Sequence, residues 1–258
     1  MSRFSDDYLR RVDAGKEPNA FIVYKFGRAT GIGTSYVPVS ADQTYKTPQT
    51  PQSLEVVSTS SADTNGGLGA WTVQVQGIGP DWGLQSEDIE MNGTTPVVLT
   101  KQFLRVFKFR VLGSGSYATE SVSSHQGVIS VRDIGGGDNW ASIRIEGGLG
   151  LGTSLVANYT IPIGYVGYVI KEHLYSASTK LSDIMLSGRA HADQQAPPYS
   201  YFHAESIKYE ASGADNNSPR GIGEELQGPY DIGYVAKASS GSVDVAISFE
   251  ILVIKNRI

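Results

Sequence analysis

Four histidines, His125, His173, His191 and His203, are the side chains of this 258-residue chain best suited to moving protons near neutral pH. None forms an i, i+4 pair or an H-x-H pair, so local spacing sets no two imidazoles on a common metal. His191-Ala192-Asp193 places an imidazole beside a carboxylate, but Pro197-Pro198 follows closely and the setting reads as a solvent-exposed loop. A nucleophile-based hydrolase leaves a strained elbow such as G-x-S-x-G, which the sequence lacks. Glu87-Asp88 and Glu224-Glu225 are paired in sequence only. Adjacent residues on a strand face opposite sides, which is not the flanking arrangement of a glycosidase.

Glycine runs at Gly66-Gly67, Gly135-Gly136-Gly137 and Gly147-Gly148-Leu149-Gly150-Leu151-Gly152 raise the question of phosphate binding. None has the spacing G-x-G-x-x-G or G-x-x-x-x-G-K-[ST], and none opens a helix after a strand, so they read as hairpin turns and bulges. Three clusters carry oxygens of the kind calcium binds: Asp63-Thr64-Asn65-Gly66, Asp133 through Asp138-Asn139, and Asp215-Asn216-Asn217. Each offers a few where calcium takes about six to eight. Turn chemistry accounts for them, because Asp and Asn bond their own backbone and accept positive φ. The expectation is no catalytic residue, no cofactor and no metal ligand.

Composition narrows the class further. The chain carries 21 Lys and Arg against 26 Asp and Glu, a net charge of -5, so no cationic excess neutralises phosphates and nucleic acid is excluded as a partner. With 14 Tyr, 8 Phe and 3 Trp it has the aromatic residues a core needs and a disordered chain lacks. Glycine, 30 in 258 residues or roughly 12%, exceeds the ~7% background and argues against a helix-rich fold. There is no cysteine, hence neither disulfide frame nor thiolate metal site, and packing alone must hold the fold. No stretch approaches 18 apolar residues, and Met1-Ser2-Arg3-Phe4-Ser5-Asp6-Asp7 has no apolar signal segment. No membrane partner is expected, and the chain is expected to be made as a cytoplasmic, soluble protein.

A protein without an evident reaction works through surfaces, and strands must position them. Ser5-Asp6-Asp7, followed by Tyr8, Leu9 and Val12 and then Gly15, has an N-cap, first-turn acids and a glycine stop, which predicts one short helix. Pro18-Asn19-Ala20-Phe21-Ile22-Val23-Tyr24-Lys25-Phe26-Gly27 is an apolar run without clean alternation, followed by a polar stretch with Pro38, Pro48 and Pro51. Residues 1–53 therefore read as an extended N-terminal arm, either laid on the chain's own body or reaching a neighbouring subunit.

From Leu54 period-two alternation takes over. Trp71, Val73 and Val75 alternate with Thr72, Gln74 and Gln76, and Asn92-Gly93 supplies a tight turn. Residues 54–112 form a small β domain, 113–126 a linker opened by Gly113-Ser114-Gly115-Ser116, and 127–258 a β-sandwich domain. In that last part Pro162-Ile163-Gly164-Tyr165 reads as a turn. Val243, Val245, Ile247, Phe249, Ile251 and Val253 alternate without a break and predict a long strand with one face in the core. The expected class is all-β: an antiparallel, jelly-roll-like β-sandwich in two lobes, with the arm carrying one short helix.

Three stretches carry a resemblance: Val23-Tyr24-Lys25-Phe26-Gly27-Arg28, then Leu54 through Thr64 running on to Thr72–Gly77 and Met91-Asn92-Gly93-Thr94-Thr95, and then Tyr159-Thr160-Ile161-Pro162-Ile163-Gly164-Tyr165-Val166-Gly167-Tyr168. Together they resemble uncharacterised virion structural proteins of tailed bacteriophages, chiefly marine ones. The hairpin departs from the family pattern at Ile163 and Tyr165, where small and basic residues are expected. The resemblance implies a non-enzymatic particle component, capsid-associated as a decoration, cement or minor head protein, whose partners are phage capsid or other virion proteins and further copies of itself. In the arm, Phe21, Tyr24, Phe26, Tyr36 and Tyr45 would carry attachment. The alternative is a tail, fibre or neck component that binds an adaptor protein, or host glycan through the aromatic last third, with Tyr199, Tyr201, Phe202, Tyr209, Tyr230 and Tyr234.

Overall fold

A computed structural model describes residues 5–115, 123–176, 182–194, 203–211, 216–218 and 225–256. Helix α1 (Asp6–Asp13) forms where its caps predict: the Ser5 Oγ accepts the Tyr8 N–H at 3.2 Å, Asp6 and Asp7 occupy the first turn, and the chain leaves the helix through Ala14 and Gly15. The remaining described elements are strands, and every pair of them is antiparallel. They build two compact units, residues 1–39 with 157–258, and residues 40–156.

The first unit begins with α1, β1 (Ala20–Ile32) and β2 (Val37–Pro38). The second contains β3 (Gln52–Ser58), β4 (Ala70–Ile78), β5 (Leu84–Glu90), β6 (Val97–Phe103), β7 (Arg105–Ser114), β8 (Ile129–Asp133), β9 (Asn139–Ile143), β10 (Ile145–Glu146) and β11 (Leu149–Gly150). The chain then returns to the first unit through β12 (Asn158–Ile161), β13 (Tyr165–Ser176), β14 (Ser182–Arg189), β15 (His203–Ala211), β16 (Asn216–Ser218), β17 (Leu226–Gln227), β18 (Tyr230–Ala238) and β19 (Val243–Lys255).

The split unit is a sandwich of two sheets. One runs β1-β19-β13-β16 with β17 also on β13, and the other runs β12-β18-β14-β15 with β2 also on β18. Strand β19 lies between β1 and β13, and its alternation is realised: Val243, Val245, Ile247, Phe249, Ile251 and Val253 are each at most 2% exposed. Phe249 meets Tyr234 of the facing sheet with ring centroids 5.1 Å apart. The sheets approach so closely at Gly27 that a Cβ there would lie 2.3 Å from the Ala157 nitrogen and 2.4 Å from the Val39 oxygen. Inside the second sheet Arg189 of β14 stands opposite Asp231 of β18 in a fully buried ion pair, and Thr160 Oγ1 donates to the other carboxylate oxygen at 2.6 Å.

The unit of residues 40–156 has sheets β6-β3-β8-β9 and β5-β4-β7, with a separate β10-β11 hairpin turned at Gly147 and Gly148, both at positive φ. Leu54, Val56, Val73, Val75, Phe103, Phe109, Ile129 and Val131 fill its core. Side chains tie the edges of the two sheets together: Glu87 of β5 accepts the Thr100 and Lys101 N–H groups of β6, each at 2.8 Å. Asp88, its neighbour, faces the other way and accepts from Gln74 Nε2 at 2.7 Å, as alternation requires.

The division of the chain differs from the expected one. Residues 127–156 do not join the C-terminal sandwich, because β8 pairs with β3 in the register Leu54↔Asp133 to Ser58↔Ile129. Gly113 and Ser114, expected to open a linker, end strand β7, and Ser124 and His125 are buried. Residues 116–122 of that expected linker lie outside the described residues. The N-terminal residues are not a separate arm either. From Ala20 to Ile32 they form β1, laid along β19 of their own sheet, the first of the two settings considered above.

Candidate functional site

The outer face of β1-β19-β13 is covered at one end and open at the other. Helix α1 sets Tyr8, Leu9 and Val12 over Ala20, Ile22, Val166, Tyr168 and Leu252. Past Asp13 the helix ends and the face continues in rows given by the strand registers: Tyr24–Glu250–Lys171, Phe26–Ser248–His173 and Arg28–Ala246–Tyr175. Tyr24 is 57% exposed, and Phe26 and Tyr175 are each 48% exposed. Tyr24, Phe26, Lys171, His173, Ser248 and Glu250 line a shallow concavity of about 320 Å³.

Two polar contacts fix this face. The Tyr24 hydroxyl donates to Asp13 Oδ1 at 2.7 Å, joining the end of the helix to the strand. That hydrogen bond, then burial and the negative charges of Asp13 and Glu250, push the Tyr24 hydroxyl up to about 12. Lys171 Nζ lies 3.5 Å from Glu250 Oε1 across the sheet. The arrangement offers contact: exposed aromatic rings, which protein interfaces favour, beside a Lys–Glu ion pair of the kind that suits a polar rim.

The five attachment residues expected from the sequence separate. Tyr24 and Phe26 stand side by side on the open face. Phe21 is half-buried and meets the edge of Tyr165 at 5.9 Å between ring centroids. Tyr36 is half-buried under Lys237, whose Nζ is 4.8 Å from the ring centroid, and Tyr45 is buried in the unit of residues 40–156. Lys171, Tyr175 and Glu250 were not singled out from the sequence, and His173 only as one of four scattered histidines, since only the registers of β13 and β19 bring them beside β1.

The other candidate residues have structural partners. Asp63 is fully buried and accepts four hydrogen bonds, from the Ser58 hydroxyl and the N–H groups of Ala70, Gln126 and Gly127. Asp133 accepts from Trp140 Nε1 at 2.8 Å, and Asp138 pairs with Lys46. His125 is buried with Nδ1 2.6 Å from the Gly127 oxygen, and His191 is exposed in a turn. Of the aromatic last third, Tyr230 and Tyr234 are buried and so present no platform. Tyr199, Tyr201, Phe202, Asp215 and Glu224 lie outside the described residues, as do the side chains of His203, Tyr209, Asn216 and Asn217.

No family model matches the sequence, and no curated protein does. Among solved structures, the chain is similar to that of the infectious bursal disease virus Gx strain at a TM-score of 0.23 and 11% identity, covering 93% of this chain and 76% of that one. It is similar to T=1 particles derived from infectious bursal virus at a TM-score of 0.22 and 10% identity, covering 93% and 74%. At these scores the overlap fixes neither fold nor role.

Proposed function

We propose that this chain is a non-enzymatic structural protein of a virion, capsid-associated in a tailed bacteriophage, that binds neighbouring subunits through the open end of its β1-β19-β13 face. The observation that carries the reading is the adjacency of exposed Tyr24 and Phe26 where α1 stops covering the sheet, on a face that also carries exposed Tyr175. Exposed rings grouped on a rigid sheet are what a contact surface needs, because little conformational entropy is lost when they are buried. The sequence resemblance to phage virion proteins supplies the setting, and assembly in a host cytoplasm suits a chain with no cysteine.

The test is a point substitution, since deletion of the N-terminal residues would remove an integral strand and expose the core beneath it. Particles made with the wild-type chain are purified and its occupancy measured by mass spectrometry and electron microscopy, beside particles made with a Tyr24→Ser, Phe26→Ser double variant. The expected result is wild-type chain in the particle and occupancy reduced at least tenfold in the variant. Absence of the wild-type chain from particles, or full occupancy by a folded variant, refutes the reading.

A further inference from the structure

Resting on the reading above, we propose that the neighbour at this face is a second copy of the same chain, paired edge to edge with β1 in antiparallel fashion about a two-fold axis at Phe26. Among the described residues β1 has a strand on one side only, β19. Its hydrogen-bonding phase follows from one contact: the Lys255 N–H donates to the Asn19 oxygen at 2.7 Å, one step beyond the register pair Ala20↔Ile254. Odd-numbered residues from 19 onward therefore exchange bonds with β19, and the backbone N–H and C=O groups of Ile22, Tyr24 and Phe26 face away from it. A 13-residue strand that directs such a row outward beside exposed rings is a template for strand addition.

Charge selects the partner and the register. An antiparallel pair centred on Lys25 sets that residue against its own copy, and one centred on Tyr24 brings two Tyr24–Asp13 contacts together with their carboxylates. Centred on Phe26, the pair places Phe26 against Phe26 and Lys25 against Gly27. It also places Arg28 against the Tyr24 of the second copy, whose hydroxyl holds Asp13, so a cation meets a ring and a carboxylate. The bulge between Ala29 and Ile32 ends the pairing beyond Arg28. The contact is isologous and closes on itself, joining the two outer sheets into one.

The chain contains no cysteine, so single-cysteine variants report cleanly. In a hydrogen-bonded antiparallel pair, facing Cα atoms are about 5.5 Å apart, within disulfide reach. Full-length Phe26→Cys, mildly oxidised, is expected to give a disulfide-linked dimer on a non-reducing gel. Thr30→Cys and Tyr175→Cys, exposed on the same sheet but away from the axis, are expected to remain unlinked. Sedimentation velocity of the wild-type chain, which does not depend on any variant folding, is expected to show a concentration-dependent dimer. Monomer throughout the concentration series, or equal cross-linking by all three variants, overturns the pairing. Cross-linking through F26C by a chain missing from particles would sink the virion reading alone, and a particle-bound chain that never dimerises would sink the pairing alone.

Discussion

Removing the Asp63 carboxylate should destabilise one unit of this protein and leave the stability of the other unchanged. Oδ1 accepts the N–H groups of Ala70 and Gln126 at 2.9 and 2.8 Å, and Oδ2 accepts the Ser58 hydroxyl and the Gly127 N–H at 2.5 and 2.8 Å. One side chain thus ends the loop before β4 and anchors the segment leading into β8. The Ala70 and Gly127 bonds are wholly buried, so in Asp63→Ala both N–H groups lose their acceptor with no water to replace it. At about 1–3 kcal/mol for each orphaned donor, the expected cost is about 4 kcal/mol. Asp63→Asn keeps one accepting oxygen but sets an NH2 group against the Gly127 N–H, and is expected to cost about 2 kcal/mol.

All three tryptophans, Trp71, Trp82 and Trp140, lie in residues 40–156, so indole fluorescence reads this unit alone. With a urea dependence of about 2 kcal/mol per molar, Asp63→Ala should lower the fluorescence midpoint by about 2 M and Asp63→Asn by about 1 M. Midpoints for both variants indistinguishable from wild type would refute the reasoning, because a carboxylate that only shapes an exposed turn can be replaced at little cost.

Asp231→Ala leaves Arg189, 2% exposed at its side chain, buried without its carboxylate, and should cost about 3–5 kcal/mol. Amide exchange should accelerate in β14 and β18 while tryptophan emission stays unchanged. Gly27→Ala forces a methyl group onto the backbone of Ala157 and Val39 and should destabilise the split unit by about 1–3 kcal/mol, read by its urea midpoint in near-ultraviolet circular dichroism. Burial works to raise the Glu55 carboxyl, but the Gly135 N–H, Arg132 and the Gly136 N–H outweigh it and hold it below its ordinary 4.5. Its contribution is present above that value and is lost as pH falls through the lowered one, so Arg132→Gln should move the acid-unfolding midpoint, read by tryptophan emission, to higher pH.

The elements that could be read from the sequence are those whose cause is local. The helix follows from Ser5, its acids and Gly15, and β19 from an alternation that needs no partner to be seen. β1 was harder, because both of its faces are partly covered: α1 packs over Ile22 on one, and Lys25, Gly27 and Ala29 are buried on the other, so the period-two signal is lost. The unit boundaries depend on pairings such as Val56↔Val131 that lie far apart in the chain, which no local pattern encodes.

The same distinction governs the functional residues. Tyr24 and Phe26 could be singled out as aromatics of the N-terminal apolar run, but the rest of that face comes from β13 and β19, where nothing in the local sequence marks His173 or Glu250 as their neighbours. Asp63 shows why side-chain type alone cannot assign a role. In sequence it belongs to an Asp-Thr-Asn-Gly cluster whose oxygens are of the kind calcium binds, although turn chemistry accounts for it. What decides is that N–H donors arrive from Gln126 and Gly127, brought to the carboxylate by the pairing of β3 with β8. An oxygen that already faces donors has no lone pair turned toward a cation, so the fold around Asp63 spends that carboxylate on holding segments together. In this unit the acid that most resembles a ligand is a fastener, and the outer sheet of the other unit carries the exposed rings that a partner can bury.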